Sequence, residues 1–141
     1  MMASMQQRAK RLPIPNEDTK PFWDGCAREE LLLQHCGACG AYRHPPSPMC
    51  PKCLSTDTKW VAASGNGSVY SYVVVHQPLD PAWADDVPYV VAIVELAEGP
   101  HMLSNVVDTP VEQVTVGMPV SVCFQRASEE IVLPRFRPAA G

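Results

Sequence analysis

The stretch from Cys36 to Cys53, CGACGAYRHPPSPMCPKC, decides how this chain folds. It contains two Cys-X-X-Cys motifs separated by ten residues. A two-residue gap lets the backbone form a tight knuckle that directs both sulfurs at one centre. Two knuckles supply the four thiolates of a tetrahedral zinc site, with Zn–S distances of about 2.3 Å. The sequence therefore predicts one structural zinc ion bound by Cys36, Cys39, Cys50 and Cys53.

The residues around the two motifs are typical of a zinc ribbon. The apolar run 31–33 leads into the first knuckle, and residues 42–44 lead out of it. Gly40 follows the first knuckle at a position that often needs a left-handed backbone, whereas Leu54 takes the equivalent position after the second. About thirty residues with this much proline cannot bury enough apolar surface alone, so we expect the metal to drive folding of this segment.

Other uses of paired cysteines agree less well with the sequence. A dithiol redox centre needs a Cys-X-X-Cys that follows a strand and opens a helix, and neither motif has this context. Disulfides are not expected in a reducing cytoplasm. Iron bound by the same four thiolates, as in a rubredoxin-like electron carrier, stays open as an alternative. Because four sulfurs leave no position for water or substrate, we expect no catalysis at the metal.

The segment before the cysteines predicts a short helical region. Thr19 is a suitable N-cap, and Pro21 suits the first helical turn. Gly25 weakens the middle of the segment, so we expect one or two short helices ending near Glu30 rather than one long helix.

The second half of the chain has the short strands and turns of a small β-barrel. β-branched and aromatic residues dominate five predicted strands, over residues 69–76, 89–96, 102–107, 120–125 and 131–136. Between the third and fourth strands, Thr109 and Glu112 form a potential capping box with Pro110 at the first helical position, which predicts a short helix over about 110–115. This order predicts a mainly β protein with a C-terminal five-stranded OB-fold barrel; an SH3-like barrel or a small sandwich is the alternative.

These patterns divide the chain into three regions. Residues 1–18 are predicted to be a flexible tail, residues 19–59 a helical segment with the zinc ribbon, and residues 60–138 the OB-fold domain.

Charge is distributed unevenly between the two halves. Residues 1–59 carry eight Lys or Arg against six Asp or Glu, whereas residues 60–141 carry three against nine. An OB-fold that binds single-stranded nucleic acid stacks bases beside a basic groove. Tyr70 and Tyr72 offer stacking surfaces, but an acidic barrel repels phosphates. A single-stranded nucleic-acid-binding protein is therefore the weaker hypothesis, and we expect no nucleic-acid partner.

Location and catalysis are predicted mainly from features that the sequence does not contain. No apolar run approaches the roughly 20 residues that span a bilayer, and the N-terminus has no apolar signal-peptide core. We therefore expect a cytoplasmic protein without a membrane partner. Cys26 and Cys123 are predicted to be small buried residues. Because no nucleophile–base pair or pair of acids is recognisable, we predict no catalytic residues.

Several motifs resemble, in their order, those of small bacterial and archaeal proteins that join an N-terminal helical segment, a rubredoxin-like zinc ribbon and a C-terminal OB-fold. The resemblance covers roughly residues 20–138, nearly the whole chain. The matching stretches are residues 21–23 (PFW), 31–40 (LLLQHCGACG), 45–46 (PP), 50–53 (CPKC), 67–72 (GSVYSY), 86–92 (DVPYVVA), 117–120 (GMPV) and 133–137 (LPRFR).

The resemblance implies an accessory role in acyl-CoA chemistry. Proteins of this kind are partners of thiolase-superfamily enzymes, including thiolases, acyltransferases and the retro-aldolases that shorten steroid side chains, and some are linked to hydratases. We therefore expect a non-catalytic subunit that works with a thiolase-like enzyme on steroid or fatty-acyl side chains. Two copies of each chain are expected, because thiolase-like enzymes pair by two-fold symmetry. CoA or an acyl-CoA thioester is the implied ligand.

Aromatic residues on two segments are candidates for contact with acyl-CoA or with the partner. Phe22 and Trp23 either dock the helix on its own domain or line an acyl tunnel. Trp83 lies in the long loop 77–87, where it either marks a partner surface or folds back over one end of the barrel.

The C-terminal strand adds three further candidates. Arg135, Phe136 and Arg137 place two cations around an aromatic ring in the otherwise acidic half. They are suited to a CoA phosphate or an acidic partner surface, with simple solvation as the alternative.

Overall fold

The structure is a computed structural model of the chain, and it describes residues 9–139. The first eight residues of the predicted tail lie outside this part. No helix in residues 9–139 is long and apolar enough to cross a membrane. The elements are α1 (Lys20–Ala27), β1 (Leu32–Cys36), β2 (Tyr42–Arg43), β3 (Thr58–Ala62), β4 (Asn66–Val75), a 3-10 turn (Pro81–Trp83), β5 (Tyr89–Leu96), β6 (His101–Val106), a second 3-10 turn (Val111–Gln113), β7 (Pro119–Arg126) and β8 (Val132–Pro138).

Helix α1 starts directly after Thr19, with Pro21 in its first turn as predicted. The Thr19 side chain does not cap the helix, because its Oγ1 accepts a hydrogen bond from the backbone N–H of Asn16 at 3.0 Å. The Asn16 side chain in turn accepts from the N–H groups of Asp18 and Thr19, at 2.9 and 3.0 Å. The capping prediction for Thr19 is therefore wrong: the preceding turn already uses its hydroxyl.

Gly25 sets the distance between α1 and β1. A Cβ at this position would lie 2.7 Å from Cγ of Leu32 and 2.9 Å from the carbonyl oxygen of Glu30. The glycine costs helix propensity, but it permits the helix and the strand to approach closely. The helix ends at Ala27, and the left-handed Glu29, with φ of 60°, turns the chain into β1.

A three-stranded sheet in the order β2-β1-β3 carries the cysteine motifs. Both of its pairings are antiparallel. Leu31 and Leu33 are buried in the same core cluster as the helix and the barrel. Residues 60–62 pair with β1 in this sheet. The domain boundary between residues 59 and 60 stays a prediction.

The last five strands close into a barrel in the order β4-β5-β6-β8-β7, with β7 pairing back to β4. Neighbouring strands are antiparallel, except for β6 and β8, which are parallel. The OB-fold predicted from the sequence is therefore confirmed. Alternate residues of the strands fill the barrel, among them the almost completely buried Val69, Val90, Val94, Leu96, Val120 and Phe136.

The segment between β6 and β7 forms a 3-10 turn rather than the predicted helix over about 110–115. Pro110 takes the N-cap position with an extended ψ of 140°, and no side chain caps the turn. The capping box of Thr109 and Glu112 does not form, because the turn begins one residue later than that motif requires. Val114 follows the turn and is buried in the core.

The two cysteines outside the motifs differ in burial. Cys26 is completely buried as predicted, and burial raises the pKa of its thiol to about 12. Cys123 is only partly buried, so that prediction is wrong. It pairs with Arg135 across β7 and β8, and paired residues share one face of a sheet. Because Arg135 lines surface cavities, Cys123 belongs to the outer face of the barrel.

Candidate metal centre and the adjoining cleft

The two cysteine knuckles have the same backbone hydrogen bonds. In the first, the N–H of Gly40 donates to the carbonyl oxygen of Cys36 at 3.0 Å, and in the second the N–H of Leu54 donates to that of Cys50 at 2.8 Å. Gly40 and Leu54 are both left-handed, with φ of 78° and 64°. The predicted left-handed position after the first knuckle is thus confirmed, and Leu54 adopts the same conformation without being glycine.

The four sulfur atoms lie around one centre. The Sγ atoms of Cys36 and Cys53 are 3.5 Å apart, and those of Cys39 and Cys50 are 3.6 Å apart. All four lie within 4.8 Å of one another. A tetrahedral ion with metal–sulfur bonds of about 2.3 Å separates its ligands by roughly 3.8 Å. The four cysteines are therefore arranged to bind one metal ion.

Backbone donors favour the thiolate form of two of these cysteines. The N–H of Cys39, whose nitrogen is 3.4 Å from the Cys36 sulfur, is the main reason that the pKa of Cys36 is lowered to about 6. The N–H of Cys53 likewise lowers the pKa of Cys50. Such bonds stabilise negative charge on sulfur.

Cys53 shows the repulsion between the four sulfurs. The N–H of Ser55 favours its thiolate, but the neighbouring sulfurs and desolvation outweigh this and raise its pKa to about 12. Four thiolates this close together repel one another unless a positive ion sits between them. Such an ion would have four sulfur ligands and no open position, which is the arrangement of a structural site.

A cleft of about 510 Å³ lies between α1 and the outer face of the barrel. Phe22 and Trp23 line it from α1, Trp83 from the β4–β5 loop, and Arg135 from β8. The structure thus brings four of the six predicted contact residues to one place. Among the residues that line this cleft, Arg135 is the one Arg, and there is no Lys, Asp or Glu. We therefore call it the apolar cleft.

Phe22 and Trp23 both dock the helix and border the apolar cleft. Phe22 is 5% exposed and belongs to the core cluster, against which Trp23 packs. The ring of Phe22 is 5.0 Å from Trp23 and 5.3 Å from His44. Burial lowers the pKa of His44 to about 4, so this wall of the cleft is uncharged at neutral pH.

Trp83 is held by contacts on two sides. Its ring lies 5.1 Å from that of Tyr89, and Nζ of Lys10 is 4.6 Å from its centroid. Lys10 also pairs with Asp86 at 2.5 Å. The described part of the predicted tail therefore lies against the barrel beside Trp83.

Arg135 joins the apolar cleft to a second cavity of about 400 Å³, which Trp83 also lines. Its Nε donates to Gln125 Oε1 at 3.2 Å and its Nη1 to Asn105 Oδ1, so two neutral side-chain amides hold the guanidinium. Burial lowers the pKa of Arg135. The second cavity has four cations and no acid among its lining residues, and we call it the cationic cavity; the cations are Lys10, Arg11, Arg126 and Arg135.

The other two residues of the C-terminal triplet lie elsewhere. Phe136 is completely buried in the barrel core, so its predicted contact with acyl-CoA or a partner is wrong: the side chain has no exposed surface. Arg137 is exposed and lines neither the apolar cleft nor the cationic cavity. Strand alternation places residue 136 opposite 135 and 137.

Several residues of the apolar cleft and of the cationic cavity were not predicted from the sequence. Lys10 lies in a segment without a motif, and Tyr89 was assigned only to a strand. A polar Asn105 inside an apolar strand is the one signal that could have been read, because such a side chain needs a partner. It donates to the carbonyl oxygen of Val90 at 2.7 Å and accepts from Arg135.

Comparison with known proteins places both parts of this architecture in one family. Sequence models described as "ChsH2, rubredoxin-like zinc ribbon domain" and "ChsH2, C-terminal OB-fold domain" match residues 23–58 and 60–125. A DUF35 domain-containing scaffold protein of Methanocaldococcus jannaschii is 40% identical over 102 residues, which is 71% of either chain. The chain belongs to the DUF35 family. The resemblance noted in the sequence is confirmed.

Two other relatives are longer than this chain. A probable enoyl-CoA hydratase alpha subunit of Thermomonospora curvata is 42% identical over 95% of this chain, which corresponds to 42% of that protein. The 3-oxo-4,17-pregnadiene-20-carboxyl-CoA hydratase alpha subunit of Mycobacterium tuberculosis is 40% identical over 79% of this chain and 35% of its own length. This DUF35 chain thus spans less than half of either protein.

Solved structures of the family have the same fold. A chain of the "Ltp2-ChsH2(DUF35) aldolase" matches with a TM-score of 0.83 and 43% identity, over 92% of this chain and all of that one. A DUF35 protein of unknown function from Sulfolobus solfataricus matches with a TM-score of 0.61 at 14% identity, over 88% and 87% of the two chains.

Proposed function

We propose that this DUF35 protein is a non-catalytic accessory subunit of an acyl-CoA-processing complex, in which a thiolase-like enzyme supplies the chemistry. The observation that carries the proposal is the match to the DUF35 chain of the Ltp2-ChsH2(DUF35) aldolase, at 43% identity over the whole of that chain. The complex would contain two copies of each chain and would be cytoplasmic.

Zinc is the metal that we assign to the four-cysteine site. The family model of a rubredoxin-like zinc ribbon matches residues 23–58, a range that includes all four cysteines. Cys36 and Cys50 are buried whereas Cys39 and Cys53 are exposed, so the ion would close one end of the ribbon. When bound, zinc supplies a fold-stabilising crosslink without redox chemistry.

The ligand that we assign to the two adjoining cavities is an acyl-CoA thioester. The apolar cleft, walled by Phe22, Trp23 and Trp83, suits the acyl group. The cationic cavity suits phosphates, since Arg135 is held by amides and has no ion pair among the residues that the structure describes. The two cavities meet at Trp83 and Arg135, so one ligand with an apolar tail and a phosphorylated head can occupy both.

Steroid or fatty-acyl side chains are the proposed substrate class of the complex. The Mycobacterium tuberculosis relative is called a 3-oxo-4,17-pregnadiene-20-carboxyl-CoA hydratase alpha subunit, and the structural relative is called an aldolase. Carbon–carbon bond cleavage after hydration of such a side chain agrees with both descriptions.

Co-expression with the thiolase-like enzyme encoded nearest to this chain tests the proposal. We expect the two proteins to elute together on size-exclusion chromatography and to show turnover of an acyl-CoA that neither shows alone. An enzyme that is equally soluble and equally active without this chain would refute the accessory role. The variant Arg137→Gln, which changes an exposed charge of the barrel outside both cavities, is a control for nonspecific charge effects on assembly.

A further inference from the structure

Arg43 is a charged side chain buried in the ribbon. Only 7% of its surface is exposed. Its Nε donates to Ser47 Oγ at 3.0 Å, and its Nη2 donates to the Ser47 carbonyl oxygen at 2.8 Å and to Thr58 Oγ1 at 2.7 Å. All three acceptors are neutral, and Nη1 is buried without a hydrogen-bond partner.

No carboxylate forms an ion pair with this guanidinium within residues 9–139, where the ion pairs involve other side chains. Burial of a charge is costly unless an opposite charge lies near it. Either the fold bears this cost in full, or a negative group that belongs to the functional protein lies beside Arg43.

The strand register places Arg43 on the face of the sheet that carries Cys36. Arg43 on β2 is opposite Gln34 of the central strand β1, and Thr58 on β3 is opposite Cys36 of the same strand. Paired residues share a face of the sheet, and so do residues two apart on one strand. To reach Thr58, the Arg43 side chain therefore crosses β1 between Gln34 and Cys36.

A divalent ion with four thiolate ligands carries a net charge of −2, and one of these ligands, Cys36, shares the face of β1 that the Arg43 side chain crosses. We propose that Arg43 is the counter-charge of the metal centre. The guanidinium stabilises the thiolate-bound ion by attraction across a poorly hydrated part of the ribbon, where Cys36 is completely buried. The loaded metal site, in turn, offsets the cost of burying Arg43.

A structural role alone makes a different prediction. Arg43 also ties the connector between the two knuckles to the sheet through Ser47, whose hydroxyl donates to the Met49 carbonyl oxygen at 3.0 Å. If Arg43 acted only through these hydrogen bonds, a substitution that disrupts them would have the same effect on the metal site whether or not the new side chain kept the positive charge. The reduction potential of an iron-loaded site separates the two roles.

Iron binds the same four thiolates, and the site with ferrous iron has one more net negative charge than the site with ferric iron. A cation near the sulfurs favours the ferrous form and raises the potential. Arg43→Gln removes the charge, and Arg43→Lys keeps it but loses the forked donors. Lys59→Gln is the matched control: Lys59 follows Thr58 on β3 but is exposed, and adjacent strand residues face opposite sides.

We expect Arg43→Gln to lower the ferrous-to-ferric ratio about ten-fold at a fixed applied potential. This corresponds to a decrease of about 59 mV in the one-electron reduction potential. Zinc affinity, measured by competition with a chelator, falls about ten-fold in the same variant. Arg43→Lys and Lys59→Gln stay close to the unsubstituted protein in both measurements.

Two outcomes would overturn the proposal: equal shifts in Arg43→Gln and Arg43→Lys, or equal shifts in Arg43→Gln and Lys59→Gln. If Arg43→Gln does not fold, Thr58→Val replaces it, since this change keeps the charge but removes the acceptor that holds it beside Cys36. A smaller downward shift is then expected, and an unchanged potential in folded Thr58→Val protein counts against the proposal.

Discussion

Gly40 and Leu54 occupy equivalent left-handed positions, each directly after the second cysteine of its knuckle, with φ of 78° and 64°. The N–H of each donates to the carbonyl oxygen of the first cysteine in the same knuckle. The two halves of the metal site are therefore built by one local backbone conformation used twice, although only one of them contains the residue type that favours it.

Substitution at these two positions should have unequal effects. Gly40→Ala should lower the free energy of unfolding of the metal-loaded protein by about 1 kcal/mol, because a left-handed conformation is unfavourable for alanine. The added Cβ would meet only His35 Nε2, at 4.0 Å, so a clash contributes nothing. Leu54→Gly should change stability by less than about 1 kcal/mol, since relief of the same strain is offset by a more flexible unfolded chain. Denaturant titration of both variants measures this, and equal losses would contradict it.

Gly25→Ala should destabilise the protein even though alanine favours helices by about 1 kcal/mol. The reason is the 2.7 Å distance between the new Cβ and Leu32 Cγ, which forces α1 away from the sheet. In a double-mutant cycle, Leu32→Ala should relieve part of this loss, so the two effects should not add. Additive free energies from urea unfolding would show that the close contact is not the cause.

The buried His44 should make stability depend on pH. Burial lowers its pKa from 6.5 to about 4 in the folded protein, so below pH 6.5 the unfolded chain binds a proton that the folded protein does not. The free energy of unfolding should therefore decrease as the pH falls from about 6.5 toward 4. Unfolding titrations between pH 7.0 and 5.5 should show that the free energy of unfolding changes less with pH in His44→Gln than in His76→Gln, which replaces an exposed histidine. The same slope in both variants would rule out His44 as the source.

Arg135 and Arg137 provide a matched pair for testing the proposed acyl-CoA site. They lie two residues apart on one strand, but only Arg135 lines the apolar cleft and the cationic cavity. Arg135→Gln should weaken binding of CoA about ten-fold in calorimetric titration and should reduce its dependence on salt, because a phosphate contact is lost. Arg137→Gln should bind as tightly as the unsubstituted protein. Equal weakening by both changes would indicate a general charge effect rather than a site.

The metal site and the barrel could be predicted from the sequence because their signals are local. The spacing of Cys36, Cys39, Cys50 and Cys53 is sufficient to define a four-sulfur centre. The period-two alternation of the last five strands defines their faces, and their order along the chain selects the OB-fold. The same alternation, applied to the C-terminal strand, would have placed Phe136 in the core.

The cleft could not be predicted in the same way, because it depends on how separate elements pack. Trp23 and Trp83 come together only when α1 lies on the barrel, and the packing of α1 depends on the missing side chain at Gly25. The sequence identified these aromatic residues as contact candidates one at a time. It contained no signal that Lys10, in an irregular segment, would lie over Trp83.

Assembly with and without the metal tests the central claim most directly. The chain is stripped of metal by a chelator, part of it is reloaded with zinc, and each form is mixed with the proposed thiolase-like partner; light scattering then measures the mass of the products. We predict that the zinc-loaded chain forms a complex with two copies of each subunit. The metal-free chain should lose the structure of the ribbon and should not bind the enzyme. A metal-free chain that keeps its full fold and assembles equally well would contradict the account.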